Sequence, residues 1–375
     1  MPRTSIASTY LFRSAFAVAM AFAVFGTLPN LFPHALAADA GPRPVTPRGD
    51  LAADERATIR LFENSRNSVV YITTRAQVRD FWSRDIFSVP RGTGSGFIWD
   101  DAGHVITNYH VIENASEATV RLANGKDYAA TLVGASQLHD IAVLKIKVNP
   151  RLSPPLPIGT SHDLRVGQTV YAIGNPFGLD WTLTNGIVSA LDRSLTEENG
   201  NTVEHLIQTN AAINPGNSGG PLFDSAGRLI GINTAIYSPN GANAGIGFAV
   251  PVDTVNRVVP QLIRDGKYTR AALGIGIDED INQRLTQLLN ISGVVILKVP
   301  QGSAAAAAGL KGVVATRDGG IIPGDIITAI DGKPVDSVSK LVARLDDFRV
   351  GDKVRVTVMR HGKSRVVPVN LQAGE

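Results

Sequence analysis

The 375 residues contain no cysteine, which excludes a disulfide framework, a thiolate metal site and a cysteine nucleophile together. The formal net charge is +3; two of those charges are Arg3 and Arg13 at the N-terminus, which leaves +1 for the rest and no Lys/Arg cluster of the kind that marks a nucleic-acid or lipid-binding face. Histidines and acidic residues nowhere take a metal-binding spacing such as H-E-x-x-H, so no metal or other cofactor is expected.

In chain order, Arg3 and Arg13 precede an uncharged run, Ala15 to Leu28, and then Ala35-Leu36-Ala37 before Ala38-Asp39. This is the pattern of a secretory signal peptide, residues 1–37, cut after Ala37. The competing reading is an uncleaved anchor, because no charged residue lies between Arg13 and His34. Against it, Pro29, Asn30 and Pro33 interrupt the stretch, and its apolar core is shorter than the ~20 residues a spanning helix needs. Export with cleavage leaves no stable membrane span. Residues 38–53, rich in Pro, Gly, Ala and Asp, read as a flexible lead-in. Residues 56–64 carry a short amphipathic helical pattern on Ile59, Leu61 and Phe62.

From Ser68 to about Val250 the apolar runs are short, β-branched and separated by Gly, Asn, Asp or Pro turns. Val69-Val70-Tyr71-Ile72, His104-Val105-Ile106-Thr107, Ile141-Ala142-Val143-Leu144 and Leu229-Ile230-Gly231-Ile232 are examples. Many strands with hardly a helix predict an antiparallel barrel or sandwich over 54–265, closed by a helix from Asp253 to Asp265. Residues 266–375 change texture. They show a strand over Gly293–Leu297, a small-residue helix over Ser303–Ala308, a hairpin at Asp331-Gly332, a helix from about Val338 to Phe348 and a strand over Lys353–Arg360, together a compact α+β module.

The stretch Asn214-Pro215-Gly216-Asn217-Ser218-Gly219-Gly220-Pro221-Leu222 holds one serine in a turn of special-purpose residues. Its glycines take positive φ without steric cost and its prolines fix φ at either end. Such a turn aims Ser218 Oγ outward and points the N–H groups of Gly216 and Ser218 at a common spot, the geometry of an oxyanion hole. Among seven histidines, His110 ends a strand running into a turn, while His162, His205 and His361 sit in polar, loop-like segments. Asp140 immediately precedes the apolar strand Ile141 to Ile146. The order His110, Asp140, Ser218 is that of the chymotrypsin-type triad and differs from the subtilisin and α/β-hydrolase orders. Gly92-Thr93-Gly94-Ser95-Gly96 looks superficially like a nucleotide loop, but Phe97-Ile98-Trp99 continues as strand and no helix follows to bind phosphate.

Thr107-Asn108-Tyr109-His110-Val111, His139-Asp140-Ile141-Ala142-Val143-Leu144 and Gly216-Asn217-Ser218-Gly219-Gly220 resemble the three catalytic motifs of the HtrA/Deg family of serine proteases. Gly94-Ser95-Gly96-Phe97, Ala172 to Gly178 and Gly231-Ile232-Asn233-Thr234-Ala235 resemble family segments around the cleft. The C-terminal module is similar to a PDZ domain, with Ala272-Leu273-Gly274-Ile275 at the carboxylate-binding loop. The resemblance implies a chymotrypsin-like double β-barrel followed by one PDZ domain, and an exported endopeptidase, bacterial and periplasmic. It implies degradation of unfolded or damaged polypeptides, capture of peptide C-termini by the PDZ domain, and a homotrimer. Two departures stand out: Asn210 follows Thr209 where family members often have Asp, and Arg75 to Arg91 is short beside the loop that some members use to build cages.

In chymotrypsin-like geometry the residue six before the nucleophile, here Ala212, lines the base of the specificity pocket. With no acid there and Ile213 and Ile232 nearby, cleavage after small or medium aliphatic residues is expected. The alternative is a peptide-gated chaperone or PDZ scaffold whose triad is largely inactive. The polar loops Ser194 to Glu204 and Tyr237 to Gly245 are candidates for such switching, and Phe62, Phe81 and Trp82 for an oligomer interface.

Overall fold

The computed structural model describes residues 42–79, 86–147, 154–176, 180–196, 202–214, 216–236, 245–315 and 321–374. The expected signal peptide at residues 1–37, Phe81 and Trp82, Pro215, Phe177 and Gly178, and most of the two polar loops lie outside these residues. From Ala52 to Glu375 the chain is one compact unit. It opens with α1 (Ala53–Ser65), in whose first turn Glu55 Oε2 accepts the N–H of Ala52 at 2.8 Å; Leu61 is its buried anchor.

Strands β1 (Val69–Arg79), β2 (Ile86–Ile98), β3 (His104–Thr107), β4 (Glu117–Arg121), β5 (Asp127–Ser136) and β6 (Ile141–Lys145) close into a barrel in the order β1-β2-β3-β6-β5-β4. Strands β7 (Thr169–Gly174), β8 (Thr182–Thr196), β9 (Thr202–Thr209), β10 (Pro221–Asp224), β11 (Leu229–Ile236) and β12 (Gly247–Pro251) close a second, in the order β10-β11-β12-β9-β8-β7.

The apolar runs are continuous because the strands are buried on both faces. Val70, Ile72, Val105, Ala142 and Leu144 fill the first barrel, and Val170, Ala172, Ile207, Leu222 and Ile230 fill the second. Their alternates, Val69, Ile106, Ile141 and Val143 from one barrel and Ile173, Leu206, Phe223 and Leu229 from the other, form a single cluster between the two. A helix of one turn, α2 (Tyr109–Ile112), follows β3, so His110 sits on a helical turn rather than in an open one. Helix α3 (Val252–Asp265) lays Val252, Val255, Val258, Val259 and Leu262 onto that seam, a 3.6-residue stripe.

The C-terminal module is built on a five-stranded sheet that includes Val294–Val295, Ile326–Ile330, Lys353–Arg360 and Lys363–Asn370. Its helices are α4 (Glu279–Leu289), α5 (Ala304–Ala307) and α6 (Val338–Asp346). The strand expected over Gly293–Leu297 is shorter: Ile296 N–H still reaches Asp325 O at 3.1 Å, but Leu297 N–H turns away and donates to Gly276 O at 2.9 Å. Helix α4 was not expected, although Asp278 caps it by accepting the N–H of Ile281 at 2.9 Å and Glu279 and Asp280 fill its first turn. His205, expected in a loop, lies within β9 at φ 62°.

Candidate active site

His110, Asp140 and Ser218 come from different elements and meet at the seam. The turn Gln137–His139 ends with Asp140 in the left-handed conformation at φ 52°, which places its carboxylate under α2. That carboxylate is buried, with a side chain 2% exposed against 37% for His110. Asp140 Oδ1 accepts the backbone N–H of His110 at 3.0 Å, and Oδ2 lies 2.8 Å from His110 Nδ1. A carboxylate only accepts, so the Nδ1 proton faces Asp140 and Nε2 carries the lone pair of a base. Asn108 Nδ2 donates to Asp140 O at 2.9 Å and fixes the backbone of the acid.

Thr234 on β11 ties the acid to the serine. Its Oγ1 donates to Asp140 Oδ2, and its carbonyl accepts the Ser218 hydroxyl at 2.9 Å. The motif around Thr234 was legible, but nothing in the sequence gave that residue a contact. Of the other described histidines, His104 pairs with Asp100 at 2.6 Å, His205 with Asp192 at 2.5 Å and His139 with Asp346 at 2.9 Å, and His162 Nδ1 lies 2.9 Å from Thr160 Oγ1.

The turn holding Ser218 is fixed nearly everywhere. Asn217 N–H donates to Asn214 O at 2.9 Å, Gly219 N–H to Asn233 O at 2.8 Å and Gly220 N–H to Asn217 O at 3.0 Å. Among the described residues, the N–H groups of Gly216 and Ser218 find no intramolecular acceptor. Gly216 has φ 101°, and a Cβ there would stand 2.7 Å from Pro176, so both its torsion and the close approach of Pro176 require glycine.

Ala212 is half-buried; its carbonyl accepts from Thr184 Oγ1 at 2.9 Å and Asn217 Nδ2 at 3.3 Å. Ile213 is 1% exposed inside the second barrel and Ile232 0% exposed in the seam, so these two side chains belong to different clusters. Asn210 Oδ1 accepts the N–H of Ile187 at 2.8 Å, a neutral hydrogen bond at the position where family members often carry a charge.

In the C-terminal module Ala272, Leu273, Gly274 and Ile275 do come together. They line a groove of about 400 Å³ with Leu341 and Leu345 of α6. Gly274 has φ 70°, and a Cβ there would lie 2.5 Å from Gln372 Oε1. Among the described residues the N–H groups of Gly274 and Ile275 have no intramolecular acceptor, whereas the next one, Gly276 N–H, donates to Lys298 O at 2.8 Å.

A buried polar cluster joins this module to the barrels. Asp346, the last residue of α6, accepts from Tyr268 Oη at 2.8 Å and from Arg257 of α3, and lies 2.9 Å from His139 Nε2. Burial alone would raise the Asp346 carboxyl. The hydrogen bond and charge of His139, then Arg257 and Tyr268, outweigh burial and hold it at about 2. Tyr268 is pushed up to about 12, by burial first and the Asp346 charge next.

An imidazole aligned by a buried acid, at the seam of two closed six-stranded barrels, is the arrangement of a chymotrypsin-like hydrolase. Residues 94–232 match the family model of the trypsin-like peptidase domain and residues 271–371 that of the PDZ domain. Protease Do-like 1 of the Arabidopsis thaliana chloroplast is 46% identical over 95% of this chain and 79% of its own. The periplasmic serine endoprotease DegP of Escherichia coli is 42% identical over 74% of this chain, which spans 56% of the DegP length. Among solved structures, the HtrA-type protease AlgW with decapeptide superposes with a TM-score of 0.65 at 32% identity, covering 84% of this chain and 98% of its own. The chain belongs to the HtrA/Deg family of serine proteases.

Proposed function

We propose that His110, Asp140 and Ser218 are the catalytic triad, with the N–H groups of Gly216 and Ser218 as the oxyanion hole. The observation that carries this reading is the Asp140 carboxylate. It is held on one side by His110 and on the other by Thr234, whose carbonyl in turn accepts the Ser218 hydroxyl. Ser218 Oγ attacks the scissile carbonyl, His110 Nε2 takes its proton and returns it to the leaving amine, and Asp140 stabilises the imidazolium. The two unpaired N–H groups bind the oxyanion of the tetrahedral intermediate.

The protein is an exported endopeptidase acting on unfolded or damaged polypeptides in the bacterial periplasm, and assembles as a trimer. Periplasmic relatives support the location, and a chloroplast relative comparably similar to this chain places the same architecture in an organelle. With Ala212 at the pocket base and Ile213 and Ile232 behind it, cleavage follows Val, Ala or Ile; a peptide library cut mainly after Lys or Arg would overturn this. Ala272, Leu273, Gly274 and Ile275 form the loop whose unpaired N–H groups receive a peptide C-terminal carboxylate, the peptide adding a strand beside α6. Ser218→Ala in the full chain should abolish casein hydrolysis, a loss of about 10⁶ in kcat by analogy with other triads. Peptide binding by the PDZ domain should be kept. Undiminished hydrolysis by that variant sinks the triad assignment.

A further inference from the structure

Ser95 belongs to the glycine-rich stretch that superficially resembles a nucleotide loop, and it sits in the middle of β2 with 0% of its surface exposed. A hydroxyl so buried is costly unless it is paired, and every polar atom of this residue is. Its N–H donates to Ser218 O at 2.8 Å and its carbonyl accepts from Thr107 Oγ1 at 2.8 Å. Its Oγ donates to Gly216 O at 2.6 Å and accepts the N–H of Asn175 at 2.8 Å. One side chain of the first barrel thus holds two segments of the second: the nucleophile turn, and the chain at Asn175-Pro176 that packs against Gly216.

The consequence follows from the peptide planes. The plane linking Gly216 to Asn217 is fixed at its carbonyl by Ser95 and at its N–H by Asn214; the plane linking Ser218 to Gly219 is fixed by Ser95 N–H and by Asn233. The plane linking Asn217 to Ser218 is fixed at its carbonyl by Gly220 N–H, which leaves the Ser218 N–H aimed out of the turn. With its far side anchored, the Gly216 N–H direction depends only on the φ and ψ torsions of Gly216 itself, measured from a plane that does not move. Remove the Ser95 hydroxyl and the Gly216 carbonyl loses its buried donor, so the peptide plane that Gly216 turns against is itself free to rotate.

We propose that Ser95 is a positioning residue for catalysis, whose hydroxyl fixes the Gly216 carbonyl so that the Gly216 and Ser218 N–H groups converge on one oxyanion. This rests on the oxyanion-hole reading above. In the full chain, Ser95→Ala should lower kcat roughly 10- to 100-fold, less than the 10²–10³ of deleting a hole donor outright. KM for a peptide substrate and the pH profile should stay in place, because substrate contacts, His110 and Asp140 are untouched. Affinity for a peptide boronic acid ending in valine, whose adduct presents an oxyanion, should fall by the same factor as kcat. Ser95→Thr, which keeps the hydroxyl, should recover most of the loss.

All rates are normalised to the folded fraction from thermal melts. The proposal is overturned if Ser95→Ala keeps kcat within twofold, if kcat falls while boronate affinity is retained, or if Ser95→Thr folds and is no better than Ser95→Ala. Ser218→Ala, measured in parallel, separates the two layers. If it still cleaves, the triad reading falls and takes this proposal with it; if it is dead, the Ser95 variants decide the proposal on their own.

Discussion

The Thr234 side chain donates to the Asp140 carboxylate while its carbonyl accepts the Ser218 hydroxyl, so a single residue sets the spacing between acid and nucleophile. Thr234→Val keeps the shape and the carbonyl and deletes only the donor. A hydrogen bond to a charged group is worth about 1.5–3 kcal/mol, so stability should fall by about that much in urea melts and kcat/KM, normalised to folded protein, should drop on the order of 10- to 100-fold. Asp140→Asn should cost more, about 10⁴ in kcat, because an amide in that place favours the wrong imidazole tautomer. Steady-state kinetics on one peptide substrate check both. At this scale the sequence points to residues that carry their own local pattern: His110 at a strand end, Asp140 before an apolar run, Ser218 between glycines. It was a poor guide to Thr234 and Ser95, whose roles come from carbonyls and carboxylates that lie far away in the chain. Ser95 and Gly216 are 121 positions apart, and no local spacing announces such a bond.

Helix α6 walls the groove beside Ala272–Ile275, and its start is held from another element. Glu279 Oε2, at the beginning of α4, accepts the N–H groups of Val338 at 2.9 Å and Ser339 at 3.3 Å. Two donors that a helix leaves open are thereby satisfied, and a negative charge sits at the positive end of the dipole. Glu279→Ala should cost about 1 kcal/mol, by comparison with capping residues. Hydrogen exchange at the amides of Val338 and Ser339 should then quicken roughly fivefold, while the barrel strands are unaffected. An acid in the first turn of one helix that satisfies the start of another, 59 residues on, looks like any surface charge in one dimension; α4 itself is not among the expected helices although Ile281, Leu285 and Leu288 carry a helical spacing. The strands were legible because burial on both faces leaves uninterrupted Val and Ile runs. Which face filled a barrel and which the seam was not, since Ile213 and Ile232 read alike as pocket walls and lie in different cores.

For the molecule as a whole, the Asp346 cluster joins the PDZ module to the barrels with a titratable contact. The Asp346 pKa is about 2 when folded, against an ordinary value near 3.8, so the contact contributes fully above about pH 4 and is lost as pH falls toward 2. The shift corresponds to about 2 kcal/mol. Tyr268 has the opposite sign: its raised pKa makes the contact strongest below about pH 10, with the loss coming as pH rises toward 12. Asp346→Asn should therefore lower stability at neutral pH and flatten the acid limb of the curve, as read from urea melts at pH 2 to 7. The shared seam has a further result for the chain during its synthesis. Val69, Ile106 and Ile141 of the first barrel are covered by Ile173, Phe223 and Leu229 of the second, and His110 and Asp140 lie early in the chain while Ser218 lies late. A ribosome that has released the first barrel has released His110 and Asp140 but not Ser218. If these three residues are the triad, it is complete only when the strands of the second barrel arrive, so a chain halted before Ser218 has no nucleophile to cut its neighbours.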